Sequence, residues 1–264
     1  MIFIYMNNKL VVCVVADFKY LFKYFYDFKN DLTLKGKYEG DILIITNILC
    51  PTFLIKSTYG KNIKILRFQK IKFSKNTIFE LNNNDTQGQP NRNKFKRFQW
   101  HKLHLFDKKL KNWDYIFYLD INMKIHHDIN GLLKSLPVKK LYARSDSYPD
   151  YINNLSSQFD RKNKTFEKLN NNYDLDIKNY FQTGLLFYDT RIIHNETKIE
   201  LINLTENYHC TVTNEQAICN LYFIFENDFY EELVEKVDNN ISYFYWLLPN
   251  TKVLITKQNR LQYK

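Results

Sequence analysis

Leu10–Val15 (LVVCVV) is an unbroken apolar, β-branched run of the kind that is buried on both faces of a sheet. The period then changes. Phe18, Leu21, Phe22, Phe25 and Phe28 recur at helical spacing, Lys19, Lys23 and Asp27 fall between them, and Asp17 stands where an N-cap belongs. A basic, aromatic helix of this type suits a sheet face, with its lysines snorkelling, or a membrane surface; we adopt sheet packing. Residues 41–46 (DILIIT) and 62–68 (NIKILRF) repeat the buried-strand signature. Phe95, Phe98, Leu103, Phe106 and Leu110 predict a further helix, and residues 115–119 (YIFYL) the next strand, which runs into Asp120. Strands are also predicted at 140–143 and 180–188, and a helix from Asn214. Between these elements, residues 82–94 contain no large apolar residue before the next helix and are rich in turn formers, which predicts a mobile surface loop. No repeat of fixed period is present. The alternation predicts one α/β domain over residues 1–264, with a mixed, mostly parallel central sheet flanked by helices.

Composition adjusts this picture in two places. The formal net charge of +10 invites a nucleic-acid partner, but the 38 basic residues are 31 Lys and only 7 Arg, beside 31 Asn. That is the usage of A/T-rich codons, and Arg is the side chain that reads phosphate and guanine in bidentate fashion. Nucleic acid is therefore not the expected partner, whereas an anionic small substrate such as a nucleotide diphosphate is compatible with the charge. Cys13, Cys50, Cys210 and Cys219 form no CxxC pair and are expected as buried free thiols in a reducing compartment. The apolar residues 1–6 are interrupted by Asn7, Asn8 and Lys9, too early for a signal sequence, and no run approaches the length of a transmembrane segment.

Candidate chemistry gathers where open α/β sheets bind ligands, beyond the carboxyl ends of strands. Asp120 and Asn122 follow YIFYL at alternate positions, so both can face one ligand. Gln182-Thr183-Gly184 lies inside NYFQTGLLFY, where the glycine permits close approach. Asn214-Glu215-Gln216 opens a helix that places Asn220 one turn on. His101 with His104, and His126-His127-Asp128, lack a third and fourth ligand at a recognisable spacing, which sets zinc aside.

The order Lys102-Leu103-His104, YIFYLDINMKI, Gln182-Thr183-Gly184, then Glu215-Gln216 with Asn220 covers most of the chain. In that order and spacing it resembles the glycogenin-like, family 8 type glycosyltransferases of the GT-A fold, including related proteins of giant DNA viruses. The resemblance implies a Rossmann-like, nucleotide-sugar-binding fold and a retaining transfer of sugar from a donor, UDP-linked, to a glycan or glycoprotein acceptor. Asp120 would bind the ribose and help hold Mn²⁺ or Mg²⁺, Asn122 would face the metal, and Lys102 would neutralise the donor. Val14, Ala16 and Asp17 would border the base and ribose. Asp146 and Gln182 would touch the donor sugar, with Glu215 and Gln216 on the reacting face. With the codon usage, it also implies a cytoplasmic protein, in the host of a giant virus or in its virion.

Two departures from the family pattern matter. Asn122 stands where the second acidic residue would be, and the family's late His-x-x-Gly-x-x-Lys-Pro-Trp stretch is missing, His209 being the last histidine. Either a metal binds weakly with waters completing its sphere, or Lys102 and a later lysine such as Lys257 replace it, or the chain is a catalytically inactive nucleotide-sugar-binding or scaffold protein. If Glu215 were an activated base, the reaction would instead be inverting.

Overall fold

The computed structural model describes residues 9–86, 96–134, 136–147 and 151–233, with short C-terminal stretches at 237–238, 241–242, 252–253 and 255–257. Strands β1 (Leu10–Val15), β2 (Ile42–Asn47) and β3 (Ile63–Phe68) are separated by helices α1 (Phe18–Asn30) and α2 (Thr52–Tyr59). Helix α3 (Lys75–Asn83) and a 3-10 segment, Arg97–Phe106, precede β4 (Tyr115–Leu119). Then come β5 (Met123–Ile125), α4 (Asn130–Lys134), β6 (Leu141–Ser145), α5 (Phe166–Asn172), β7 (Phe181–Asp189), α6 (Thr197–Asn207), α7 (Glu215–Asn220) and β8 (Tyr230–Glu232). A last strand, β9 (Ile255–Lys257), pairs antiparallel with β5.

Seven strands form the central sheet in the order β3-β2-β1-β4-β7-β6-β8. All pairs are parallel except the two made by β7, which runs against β4 and β6. The mostly parallel sheet expected from the strand-helix alternation is thus present, and its continuous apolar strands have a physical reason. Val11 and Cys13 enter one core cluster while Val12 and Val14 enter the other, on the opposite face. The same alternation divides Leu43 from Ile44 and Ile116 from Phe117. All four cysteines are free and buried, as expected.

Strand order reverses at β1. The chain proceeds outward through β2 and β3, then returns to place β4 on the other side of β1. The parallel neighbours β1 and β4 therefore end side by side, where their outgoing segments diverge and leave a crevice. Helix α1 flanks it on one face and the 3-10 segment on the other, the first burying Leu21 and Phe25, the second Leu103 and Phe106.

Three local expectations change. Helix α1 does start at Asp17, whose carboxylate accepts the Tyr20 N–H at 2.8 Å. Its buried stripe is narrower than the aromatic pattern suggested: Leu21, Phe25 and Phe28 are buried, while Phe22 is 81% exposed. The helix expected around Phe98 to Leu110 is 3-10, in two pieces. The predicted loop begins later than residue 82, because Asn82 and Asn83 end α3 and Asn84 is buried, donating from Nδ2 to the carbonyls of His209 and Thr211. Most of the remaining interval lies outside the described residues.

The two faces of α1 give a direct test. Phe25→Ala is expected to cost about 3–5 kcal/mol in urea unfolding, and Phe22→Ala no more than about 0.5 kcal/mol. Equal losses would contradict the packing.

Candidate functional site

A cleft of about 240 Å³ opens at the carboxyl ends of β1 and β4. Val15, Ala16, Asp17 and Tyr20 wall one side, Phe98, Gln99 and Lys102 the other, and Asp120, Ile121 and Asn122 close it after β4. The N-cap bond of Asp17 fixes the start of α1 against this opening and thereby sets Tyr20 on its edge.

Below the cleft, Lys102 is buried with three acceptors. Its Nζ lies 3.0 Å from Asp120 Oδ1, 3.1 Å from Glu215 Oε1 and 3.1 Å from the Thr183 carbonyl oxygen. Those contacts match the three protons of an ammonium group. Tyr118 donates its hydroxyl to Asp120 Oδ1 at 2.6 Å, and the Thr183 hydroxyl donates to Glu215 Oε1 at 2.8 Å. Burial opposes the charge on Lys102, but Asp120 and Glu215 outweigh it and hold its pKa above the ordinary lysine value. Burial first, then Asp120, raises the Tyr118 phenol well above its usual range, so it remains a donor. One ammonium against two carboxylates leaves the cluster with a formal charge of −1 when all three are ionised. Glu215 Oε2 is buried with no hydrogen-bond partner among the described residues.

Gly184 makes room for this arrangement. Its carbonyl accepts the Asp120 N–H at 2.8 Å, and a Cβ there would lie 3.0 Å from Met123 Cε and 3.5 Å from Asp120 Oδ2. A second network continues along β7. Gln216 Nε2 donates to Asp146 Oδ2 at 3.1 Å and Gln158 Oε1 at 3.0 Å, while Gln216 Oε1 accepts the Thr183 N–H at 3.3 Å. Gln158 Nε2 also donates to Asp146 Oδ2, at 2.9 Å. Asn220 exchanges hydrogen bonds with the Phe181 backbone N–H and carbonyl at 2.7 and 2.9 Å, which fastens α7 to β7. Asn214, just before α7, has φ 58° and ψ −128°, a strained backbone for a residue with a Cβ, and its amide donates to Gln99 on the cleft wall.

The structure brings Lys102, Asp120 and Glu215 into one ion cluster, and joins Asp146 and Gln216 through hydrogen bonds. Ala16, Asp17 and Asn122 share the cleft wall with Lys102 and Asp120. Glu215 is 1% exposed and is paired with Lys102. Val14 faces the core and Val15 lines the cleft in its place, because successive residues of β1 alternate faces. Gln182 is buried and is not part of the cleft wall. The side chain of Lys257 lies outside the described residues.

Tyr20, Phe98, Gln99, Tyr118, Thr183 and Gln158 were not singled out from sequence as individual site residues. Tyr118 had a readable signal, since it sits two residues before Asp120 on an extended segment. Gln158 had none, being brought in from a short 3-10 turn far along the chain.

Three of the histidines have structural roles. His101 stacks on Phe98 with ring centroids 4.5 Å apart, and His104 stacks on Phe68 at 4.3 Å. His104 Nε2 donates to the Gln69 carbonyl at 3.0 Å, which fixes a neutral tautomer. His126 Nε2 bonds the Thr256 hydroxyl at 2.7 Å and ties β9 to the segment after Asp120.

For a divalent ion, no group of three or more His, Cys, Asp or Glu residues is placed to hold one among the described residues. The cleft offers Asp120 and Asn122 as hard oxygen donors, and Asp120 Oδ1 already receives an ammonium and a phenol. This set fits Mg²⁺ or Mn²⁺ only as an ion shared with the phosphates of a substrate, the usual circumstance for Mg²⁺.

Replacing Lys102 by Met strands two carboxylates and is expected to cost about 3–5 kcal/mol in urea unfolding. Adding Glu215→Gln should restore part of that loss; no recovery would mean that packing, not charge, places Lys102. The two stacked histidines set an acid limit. Burial lowers His101 from 6.5 to about 4 and His104 from 6.5 to about 3, so the unfolded chain binds protons first as pH falls. Their contribution to stability is thus full above about pH 6.5 and is lost progressively as pH falls toward about 3, by several kcal/mol. Urea unfolding at stepped pH checks this, and a flat profile over that window would refute it.

No family model and no curated protein matches the chain by sequence. Solved structures do match its backbone. A galactosyltransferase, LgtC, crystallised with donor and acceptor sugar analogs, aligns over 84% of this chain and 72% of its own at a TM-score of 0.56 and 14% identity. Mouse xyloside xylosyltransferase 1, in its apo form, aligns over 96% and 98% at a TM-score of 0.52 and 11% identity. The bifunctional glycosyltransferase WbbM aligns over 87% of this chain and 39% of its own, with a TM-score of 0.53 and 13% identity. At such identities the likeness is one of architecture: this chain has the GT-A fold, a mixed α/β sheet shared with these glycosyltransferases.

Proposed function

We propose that the chain is a glycosyltransferase that moves a sugar from a UDP-linked donor to a glycan or glycoprotein hydroxyl with retention of configuration. The observation that carries this reading is the Lys102-Asp120-Glu215 cluster, seated under a cleft at the strand-order reversal of a GT-A fold. Lys102, its three protons taken up by Asp120, Glu215 and the Thr183 carbonyl, holds Asp120 at the cleft, where that carboxylate and Asn122 would share a divalent ion with the departing diphosphate.

In this reading the nucleoside enters between Tyr20 and Phe98, over Ala16 and Asp17, and the diphosphate lies above Lys102. Asp120 and Asn122 would hold Mg²⁺ or Mn²⁺ together with the phosphate oxygens, and the ion would supply further positive charge. Asp146 and Gln216 meet the donor sugar, their orientation locked by Gln158. Retention needs no strong base. The bond from the anomeric carbon to the phosphate oxygen breaks, the acceptor oxygen bonds from the same face, and its proton passes to the leaving phosphate. Gln216 steadies the opposite face. The burial and pairing of Glu215 favour a role in holding Lys102 over one as a base, and this supports retention over inversion.

Isothermal calorimetry and thermal shift with UDP-sugars, in EDTA and with added Mn²⁺, test the proposal. Asp120→Ala is expected to weaken donor binding about 10–100-fold, and Asn122→Asp to strengthen its dependence on Mn²⁺. No binding of any nucleotide sugar would defeat the reading. Donor binding without turnover of acceptor or water would identify an inactive binding protein.

A further inference from the structure

Helices α1 and α2 leave a coherent apolar surface in solvent. Phe18, Phe22 and Tyr26 follow one another at i, i+4 and i+8 along α1 and are 39%, 81% and 62% exposed. Helical geometry puts them in one stripe, about a quarter-turn from the buried Leu21, Phe25 and Phe28. Lys19 and Lys23, both exposed, form a row beside that stripe. In the turn before α2 and on its first turn, Leu49 and Phe53 are 87% and 70% exposed.

These groups belong to one region. Strands β1 and β2 are parallel neighbours, and the helices that follow them bury Leu21 and Ile55 in the same core cluster. Both helices therefore lie on one face of the sheet and begin at one rim. That rim is also where the cleft opens, and half-exposed Tyr20 on the first turn of α1 lines it.

Exposed aromatic and aliphatic groups clustered in this way mark an interaction surface, and charge selects the partner. Helix α1 carries Lys19, Lys23 and Lys29 against a single acid, Asp27, which Lys124 engages at 3.4 Å. Two copies meeting face to face here would oppose their lysine rows, on chains that each carry a net charge of +10. A bilayer surface with anionic head groups satisfies both components. The rings reach the boundary between head groups and acyl chains, and the ammonium groups lie among the phosphates. We propose that α1 and the beginning of α2 form a docking surface for an anionic lipid bilayer, with the mouth of the cleft at the membrane plane. Attachment is peripheral; among the described residues no helix is long and apolar enough to cross a membrane. Docking of this kind does not depend on sugar transfer.

Co-sedimentation of the full chain with vesicles tests it, comparing phosphatidylcholine alone with a mixture containing phosphatidylserine. The chain is expected to bind the anionic vesicles and to lose binding as salt is raised. Phe22→Ser with Phe53→Ser, and separately Lys19→Glu with Lys23→Glu, should each weaken binding roughly tenfold or more, with the unfolding midpoint unchanged. Failure to bind anionic vesicles, equal binding to both compositions, or full binding by the Phe22/Phe53 variant would overturn the proposal. A wild-type dimer that the same variant converts to monomer in light scattering would also overturn it, assigning the surface to a second copy.

Discussion

A single buried ammonium organises the functional end of this molecule. Lys102 comes from the 3-10 segment, Asp120 from the end of β4, Glu215 from the start of α7 and the Thr183 carbonyl from β7. Four pieces of chain, distant in sequence, are thereby held to one nitrogen. The cost of burying three charged groups is met only when all partners are present and correctly placed. The cluster consequently fixes the Lys102 wall of the cleft against the Asp120–Asn122 segment that closes it. Its excess negative charge, and a Glu215 oxygen that has no hydrogen-bond partner among the described residues, argue that stability alone did not select the arrangement. A core built for stability alone would fill this volume with apolar side chains.

The frame of the fold was legible because it rests on periodicity. LVVCVV, DILIIT and YIFYL are apolar at consecutive positions, a pattern that suits a strand covered on both faces, and the intervening helical spacing set the crossover connections. What was not legible depends on three-dimensional competition. Phe22 matches the helical stripe as well as Phe25 does, yet the sheet offers contact to only a narrow arc, and Phe22 stays outside. The 3-10 form of the Arg97–Phe106 segment, in which every residue from Trp100 to Phe106 is buried, was not signalled by the helical spacing of its apolar residues.

The candidate site divides in the same way. Asp120 and Glu215 stood out as charged residues at element ends and Lys102 through the family resemblance, and the fold gathers them. The role of each charge was less readable than its location. Glu215 looked like a group facing the reaction and is buried and paired with the lysine, because a carboxylate at the first turn of a helix can point into the sheet as easily as out of it. The one-residue difference between Val14 and Val15 at the cleft follows from strand alternation, which a motif alignment does not resolve.

Strand β9 has a bearing on all of this. It pairs with β5 in the register Lys257 to Met123 and Ile255 to Ile125, directly after Asn122, and His126 clamps it through Thr256. The residues that follow Asp120 and Asn122 are therefore one strand of a two-stranded ribbon whose other strand, 255–257, comes from much later in the chain. Thermodynamic linkage makes such a coupling reciprocal. Whatever settles the Asp120–Asn122 segment strengthens the grip on the C-terminal strand, and whatever draws that strand away loosens the floor of the cleft. Strand β9 is in this sense a handle on the site.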